Sequence, residues 1–153
     1  MRRPTFLTVL VMLFALTACT GGDGKPEINF DEDAGFSVFL TADVTEAQKT
    51  GVEAELRGLP GATEVTYESS QAAYDKMRER FEGEPGGVPD IDPSYLPQSF
   101  RVKMKDMASV RRVRDDTATG DRLRAVAGVR DLVFPACTTV EECRKELSSP
   151  GPR

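Results

Sequence analysis

The chain has no histidine in its 153 residues and only 3 cysteines. Without histidine, the Ser-His and Cys-His arrangements that activate a nucleophile cannot be built. The same absence, with no second cysteine pair to replace it, leaves a zinc site short of soft ligands. No glycine-rich phosphate loop follows a strand-like run. Basic side chains are the minority, 20 against 25 acidic, so the charge footprint of a nucleic-acid binder is missing. The acids are plentiful but unpatterned. Asp90-Ile91-Asp92 alternates oxygens as a calcium loop does, yet it lacks the EF-hand glycine and the distant glutamate. It is read, like Asp31-Glu32-Asp33, as a solvated loop. No pair of carboxylates stands out as a glycosidase couple. The expectation is a protein without catalysis, metal or cofactor.

Long apolar runs are equally scarce. A membrane-spanning helix needs roughly 20 apolar residues. The run from Phe6 to Ala18 is shorter, follows Arg2 and Arg3, and ends in small residues, which is the layout of a secretory leader. Its end, Leu16-Thr17-Ala18-Cys19, resembles the bacterial lipobox, in which the cysteine is lipidated and becomes the first residue of the mature protein. Residues 1–18 are therefore expected to be a lipoprotein leader, with Cys19 as the lipidated N-terminus. The alternative is an ordinary cleaved leader with Cys19 as an incidental thiol, a liability in an oxidising compartment. Loss of Arg2 and Arg3 with the leader leaves 18 basic and 25 acidic side chains. An anionic bilayer would not attract such a domain, so the lipid must hold it to the membrane, each buried CH₂ contributing about 0.8 kcal/mol. The other two cysteines, Cys137 and Cys143, flank "TTVEE" and read as a disulfide outside the cytoplasm, worth about 2–3 kcal/mol at most. A metal pair is the weaker alternative.

Residues 19–35 are polar, acidic and glycine-bearing without periodicity, as a flexible tether would be, and residues 148–153 are expected to form a disordered tail. Between them, over 36–147, β-like and helical patterns alternate. "FSVFL" (36–40) reads as a buried strand. Thr45 opens a helix with a capping box to Gln48, and Ala47, Val52 and Leu56 give it an apolar side. "ATEVTYE" (62–68) is a second strand. A second helix over 69–83 places Ala73, Tyr74, Met77 and Phe81 on one side. "SFRVKMK" (99–105) alternates, with Phe100, Val102 and Met104 inward. Asp106 caps a helical region that runs towards Ala127 and is interrupted at "DDTATGD". "GVRDLVF" (128–134) is the last strand, and a short helix follows with a possible capping box at Thr139 and Glu142. "LPGATEVTY" and "VAGVRDLVF" echo one another, each joining a helix end to a strand through glycine. Two β-α-β halves predict an α+β fold with a ferredoxin-like split β-α-β sheet, and a helix with a Pro/Gly-rich loop inserted between the halves as a small second lobe. A small α/β sheet is the alternative.

The insertion, about 71–96, carries Phe81, Val88, Ile91, Tyr95 and Leu96 among prolines, glycines and acids. Such residues either fold back on the core or form an exposed apolar patch with aromatic anchors for a protein partner. Prolines 85, 89, 93 and 97 restrict the loop and lower the entropy cost of binding.

"FSVFLTADVTEAQ", "LPGATEVTYESSQAAYDKMRERF" and "LPQSFRVKMKD" resemble, in order and spacing, the extracellular domain of the bacterial cell-division permease FtsX. The likeness covers most of residues 36–134, and "GVRDLVF" matches the family's closing strand. It implies an extracytoplasmic, non-catalytic module that binds a peptidoglycan hydrolase or its activator. It also implies that the partner-binding lobe is the helix and loop from about Gln71 to Leu96, which makes Phe81, Ile91, Tyr95 and Leu96 contacts. The permease's membrane helices and cytoplasmic tail have no counterpart in these residues, so the binding role carries over and ATP-driven motion does not. A small-molecule- or ion-binding envelope lipoprotein is the rival function.

Overall fold

The computed structural model describes residues 29–84, 86–87 and 90–148. The expected leader, Cys19 and Val88 lie outside the described residues. Strand β1 (Gly35–Leu40) alternates strictly, sending Phe36, Val38 and Leu40 to one face. It pairs antiparallel with β3 (Ser99–Met104) and with β4 (Val129–Val133), and β3 pairs antiparallel with β2 (Ala62–Glu68). The strand order β2-β3-β1-β4 is the ferredoxin-like arrangement of two interleaved β-α-β halves. Among the described residues the sheet has four strands accompanied by five helices, an α+β fold as expected.

Helices α1 (Glu46–Arg57), α3 (Met107–Asp115) and α4 (Thr117–Arg124) cover the face that carries Phe36, Val38, Phe100 and Val102. α1 contributes Val52 and Leu56, α3 contributes Met107, Val110 and Val113, and α4 contributes Leu123. Each start is fixed by a side chain that accepts from a helix N–H of the first turn. Thr45 Oγ1 accepts from Gln48 N at 3.3 Å, while Thr45 N donates to Gln48 Oε1 at 2.8 Å. Asp106 accepts from Ser109 N at 2.7 Å. Asp116 ends α3 and caps α4, accepting from Ala118 N at 3.1 Å, which is the break expected inside "DDTATGD".

The two halves repeat each other at their turns. Gly61 and Gly128 both adopt positive φ, +90° and +95°, a conformation open to glycine. The Gly61 carbonyl accepts from Lys105 N at 2.8 Å, and the Gly128 carbonyl accepts from Thr41 N at 2.9 Å. Each glycine thus ties one half to the strand end of the other, which gives the sequence echo its physical content.

Three expectations are corrected. Ala47 is exposed, because Val52 and Leu56 already fill the line of contact with the sheet. The segment up to residue 35 joins the domain before its expected boundary: Ala34 is buried, Phe30 packs against the core, and Asp31 Oδ1 accepts from Met107 N at 2.7 Å. In the C-terminal helix α5 (Val140–Ser148), Thr139 Oγ1 accepts from Glu142 N at 3.1 Å, but the Glu142 carboxylate returns to Thr138 N at 2.7 Å and not to Thr139. The helix expected in the inserted lobe, α2 (Ser70–Phe81), buries no residue fully. It does not join the helix layer. It crosses onto the opposite, open face of the sheet, above Phe39, Glu68, Ser99 and Arg101.

The register also separates two poles. Gly35 faces Lys103, and Ala62 faces Met104, at the end where residues 29–34, the start of α3 and the exit towards α5 meet. Phe39 and Glu68 face Ser99 at the other end, where α2 and a 3-10 turn at Pro93–Tyr95 form the inserted lobe. At about 3.3 Å per strand residue, the poles are roughly 20 Å apart.

Candidate functional site

The lobe is assembled by local polar contacts. Ser69 Oγ caps α2 by accepting from Ala72 N at 3.2 Å. The next residue, Ser70, donates its hydroxyl to the Leu96 carbonyl at 2.6 Å, fastening the start of α2 to the far end of the insertion. Asp92 Oδ1 accepts from Ser94 N at 2.8 Å and Pro93 presets the first residue of the turn. Asp92 is therefore occupied as a cap.

Under α2 lies a charged floor. Glu68 is 7 % exposed. It accepts from Arg101 Nε at 2.9 Å and Nη2 at 3.5 Å, and from Lys76 Nζ of α2. Burial pushes the Glu68 carboxyl up, but the hydrogen bonds from Arg101 and Lys76 outweigh it and hold the group below the ordinary glutamate range. The acid is charged, and it clamps α2 to β3.

Beside this clamp, α2, the turn and β1 enclose an apolar groove of about 350 Å³. Its apolar lining is Phe39 from β1, Ala73, Met77 and Phe81 from α2, and Leu96 and Pro97 after the turn. Lys76, Arg80 and Arg101 lie along its side. Of the residues singled out by sequence, Phe81 and Leu96 meet in this groove, and Phe81 remains 38 % exposed. Tyr95 is 82 % exposed and lies on the other side of the turn, near Ser70 and Arg130. Ile91 is half-buried and does not line the groove. The structure therefore separates Tyr95 and Ile91 from the Phe81–Leu96 pair, because the 3-10 turn rotates consecutive side chains to different sides. Phe39 and Arg80 were missed. Phe39 carried a signal: in a strand whose even positions face the core, an odd-numbered phenylalanine must point to the open face.

A wider cleft of about 580 Å³ lies lower on the open face, where Glu32, Asp33 and Glu64 face Lys103 and Arg101. Glu64 accepts the Thr66 hydroxyl at 3.0 Å. The cleft has mixed charge over an apolar lining of Phe36, Val102, Val133, Phe134 and Pro135. At the lower pole the Cys137 and Cys143 sulfurs are bonded, with Cα atoms 5.0 Å apart, and the link holds the start of α5. Among the described residues, no three His, Cys, Asp or Glu side chains gather to hold a metal, and no helix is long and apolar enough to cross a membrane.

A 4-1-3-2 antiparallel sheet with helices on one face, and a groove-bearing lobe inserted between β2 and β3, defines a small α+β domain of ferredoxin-like topology. The family model of the FtsX extracellular domain matches residues 33–135, and the chain belongs to that family. Membership makes this an extracytoplasmic domain of a cell-division family whose members bind other envelope proteins and are generally not catalysts. Among solved structures, extracellular domain 1 of FtsX from S. pneumoniae, in complex with undecyl-maltoside, is similar at 16 % identity, with a TM-score of 0.49, over 67 % of this chain and 94 % of that one. No curated protein matches the chain. The family match ends before Cys137, so α5 and its disulfide lie beyond it.

Proposed function

We propose that the protein is a lipid-anchored docking domain of the bacterial envelope that recruits or regulates a peptidoglycan hydrolase or its activator. The observation that carries this reading is the apolar groove of Phe39, Met77, Phe81 and Leu96, open to solvent in the inserted lobe. Folded chains expose few apolar concavities without use for them, and a half-exposed phenylalanine beside a leucine and a methionine is a suitable receptor for a partner's side chain. The polarity of the domain supports the anchor. Asn29 and Phe30 sit at the lower pole, beside Asp106 and Thr138, so a lipid on Cys19 would attach the domain through the end opposite the groove and leave the groove free.

The test is a pull-down from envelope extract with the chain from Gly22 onward, identified by mass spectrometry, against a Phe81→Ser/Leu96→Ser variant shown folded by circular dichroism. A cell-wall hydrolase or its activator retained by the wild type and lost from the variant is the expected result. Equal retention by both baits removes the groove from the interaction. The anchor is tested separately by detergent-phase partition: the wild type enters the detergent phase and Cys19→Ala does not.

A further inference from the structure

The groove is apolar on its floor but cationic on its rim, in a chain whose net charge is −5. Lys76 and Arg101 share the single carboxylate of Glu68, so this trio keeps one positive charge in excess. Arg80 lies one helical turn beyond Lys76 and also faces the groove, with no acidic side chain within ion-pair distance among the described residues. The acids of α2, Asp75 and Glu79, lie off this rim and line a neighbouring depression with Arg78, Phe81 and Glu82. A Lys-Arg pair at i,i+4 is repulsive on an isolated helix. Glu68 relieves that repulsion at Lys76 only. Arg80, in the last turn of α2, complements the helix dipole as Arg78 does, and its placement also leaves a cationic edge beside an apolar floor.

We propose that the groove receives an acidic segment of a partner protein, which seats an apolar side chain over Phe39, Met77, Phe81 and Leu96 and sets carboxylates against Arg80 and the Lys76–Arg101 pair. The inference rests on the docking reading of the groove and adds the chemistry of its occupant. Charge complementarity of this kind speeds encounter and rejects basic competitors. An anionic lipid offers the same two chemistries, but a groove of about 350 Å³ suits one or two side chains and is too small for a pair of long acyl chains.

The experiment pans a random twelve-residue peptide library against the mature chain and discards peptides that also bind the Phe81→Ser/Leu96→Ser variant. The expected result is groove-dependent peptides with apolar residues flanked by Asp or Glu at no less than about twice their frequency in the unselected library. Their affinity should fall at least about fivefold between low and moderate salt, and by a similar factor in Arg80→Glu. Groove-dependent peptides with no acidic enrichment, or with basic flanks, overturn the charge inference and leave the docking reading standing. Failure to enrich any groove-dependent peptide overturns the docking reading itself. Binding of phosphatidylglycerol vesicles by the wild type and not by Arg80→Glu would replace the protein occupant with a lipid and equally overturn the proposal.

Discussion

Replacing Glu68 with glutamine should release α2 while leaving the sheet intact. The side chain keeps its size but loses the charge that attracts Lys76 and Arg101. Breaking a fully buried ion pair typically costs about 3–5 kcal/mol, because an uncompensated charge is stranded. Here the cations are 61 % and 59 % exposed, so both rehydrate when the carboxylate is gone, and the cost falls to about 1–2 kcal/mol. That loss lands on a helix with no fully buried residue, held otherwise by the Ser70–Leu96 hydrogen bond and the groove's apolar contacts. Native-state hydrogen exchange is the assay. Amides of α2 should lose about tenfold in protection, the equivalent of about 1.4 kcal/mol, while those of β1 and β3 keep theirs. The pH dependence follows from the direction of the shift. A carboxyl held below its unfolded value of 4.5 contributes stability that is fully present above that value and is lost as pH falls through the lower folded value. The wild-type helix should therefore lose protection as pH drops below 4.5, and the glutamine variant should lack that step. Unchanged α2 protection, or an equal fall across β1 and β3, would refute the clamp.

Three further outcomes follow from the packing. Phe81→Ser with Leu96→Ser should shift the urea midpoint little, whereas Phe100→Ala, which empties the centre of the core, should cost about 3–5 kcal/mol in the same titration. Gly61→Ala should destabilise by more than about 1 kcal/mol, because φ is +90° and the new Cβ would stand 2.8 Å from Ser109 Oγ; thermal melts check it. Cys143→Ser should cost about 2–3 kcal/mol at most given its small loop, and exchange should show the loss confined to α5, which buries no residue fully.

The fold was legible where one force dominates. Phe100, Val102 and Met104 alternate with Arg101 and Lys103, and no other arrangement buries the first three while hydrating the others. Thr45 and Gln48 announce a helix start because both cap bonds are local. The lobe was harder for the same reason. Ala73, Met77 and Phe81 have the spacing of a core helix, and spacing does not say which face of the sheet the helix meets. Glu68 gave no signal at all, since its partners stand 8 and 33 residues away on different elements. Tyr95 reads as an anchor because it is an aromatic residue in a loop; it stands exposed in the lobe, but the turn at Pro93 directs Leu96, and not Tyr95, to the groove.

The position of the insertion explains how the fold tolerates it. In two interleaved β-α-β halves, β2 and β3 are neighbours that a two-residue hairpin could join. Here thirty residues stand between Glu68 and Ser99. Each doubling of a flexible loop adds about 0.6 kcal/mol of closure entropy, so the long connection costs roughly 2–3 kcal/mol relative to a tight hairpin. The sheet does not need the insertion to set its register, because Val65 opposite Val102 and Tyr67 opposite Phe100 fix the pairing on the core face. The lobe offsets part of its cost through the Glu68 clamp and the Ser70–Leu96 bond, contacts at its own base and with the rim of the sheet. Its stability is thus largely separable from that of the core. Such a segment can adjust to a partner, or change its groove residues, without disturbing the packing of Val38, Val110 and Phe100 beneath the other face.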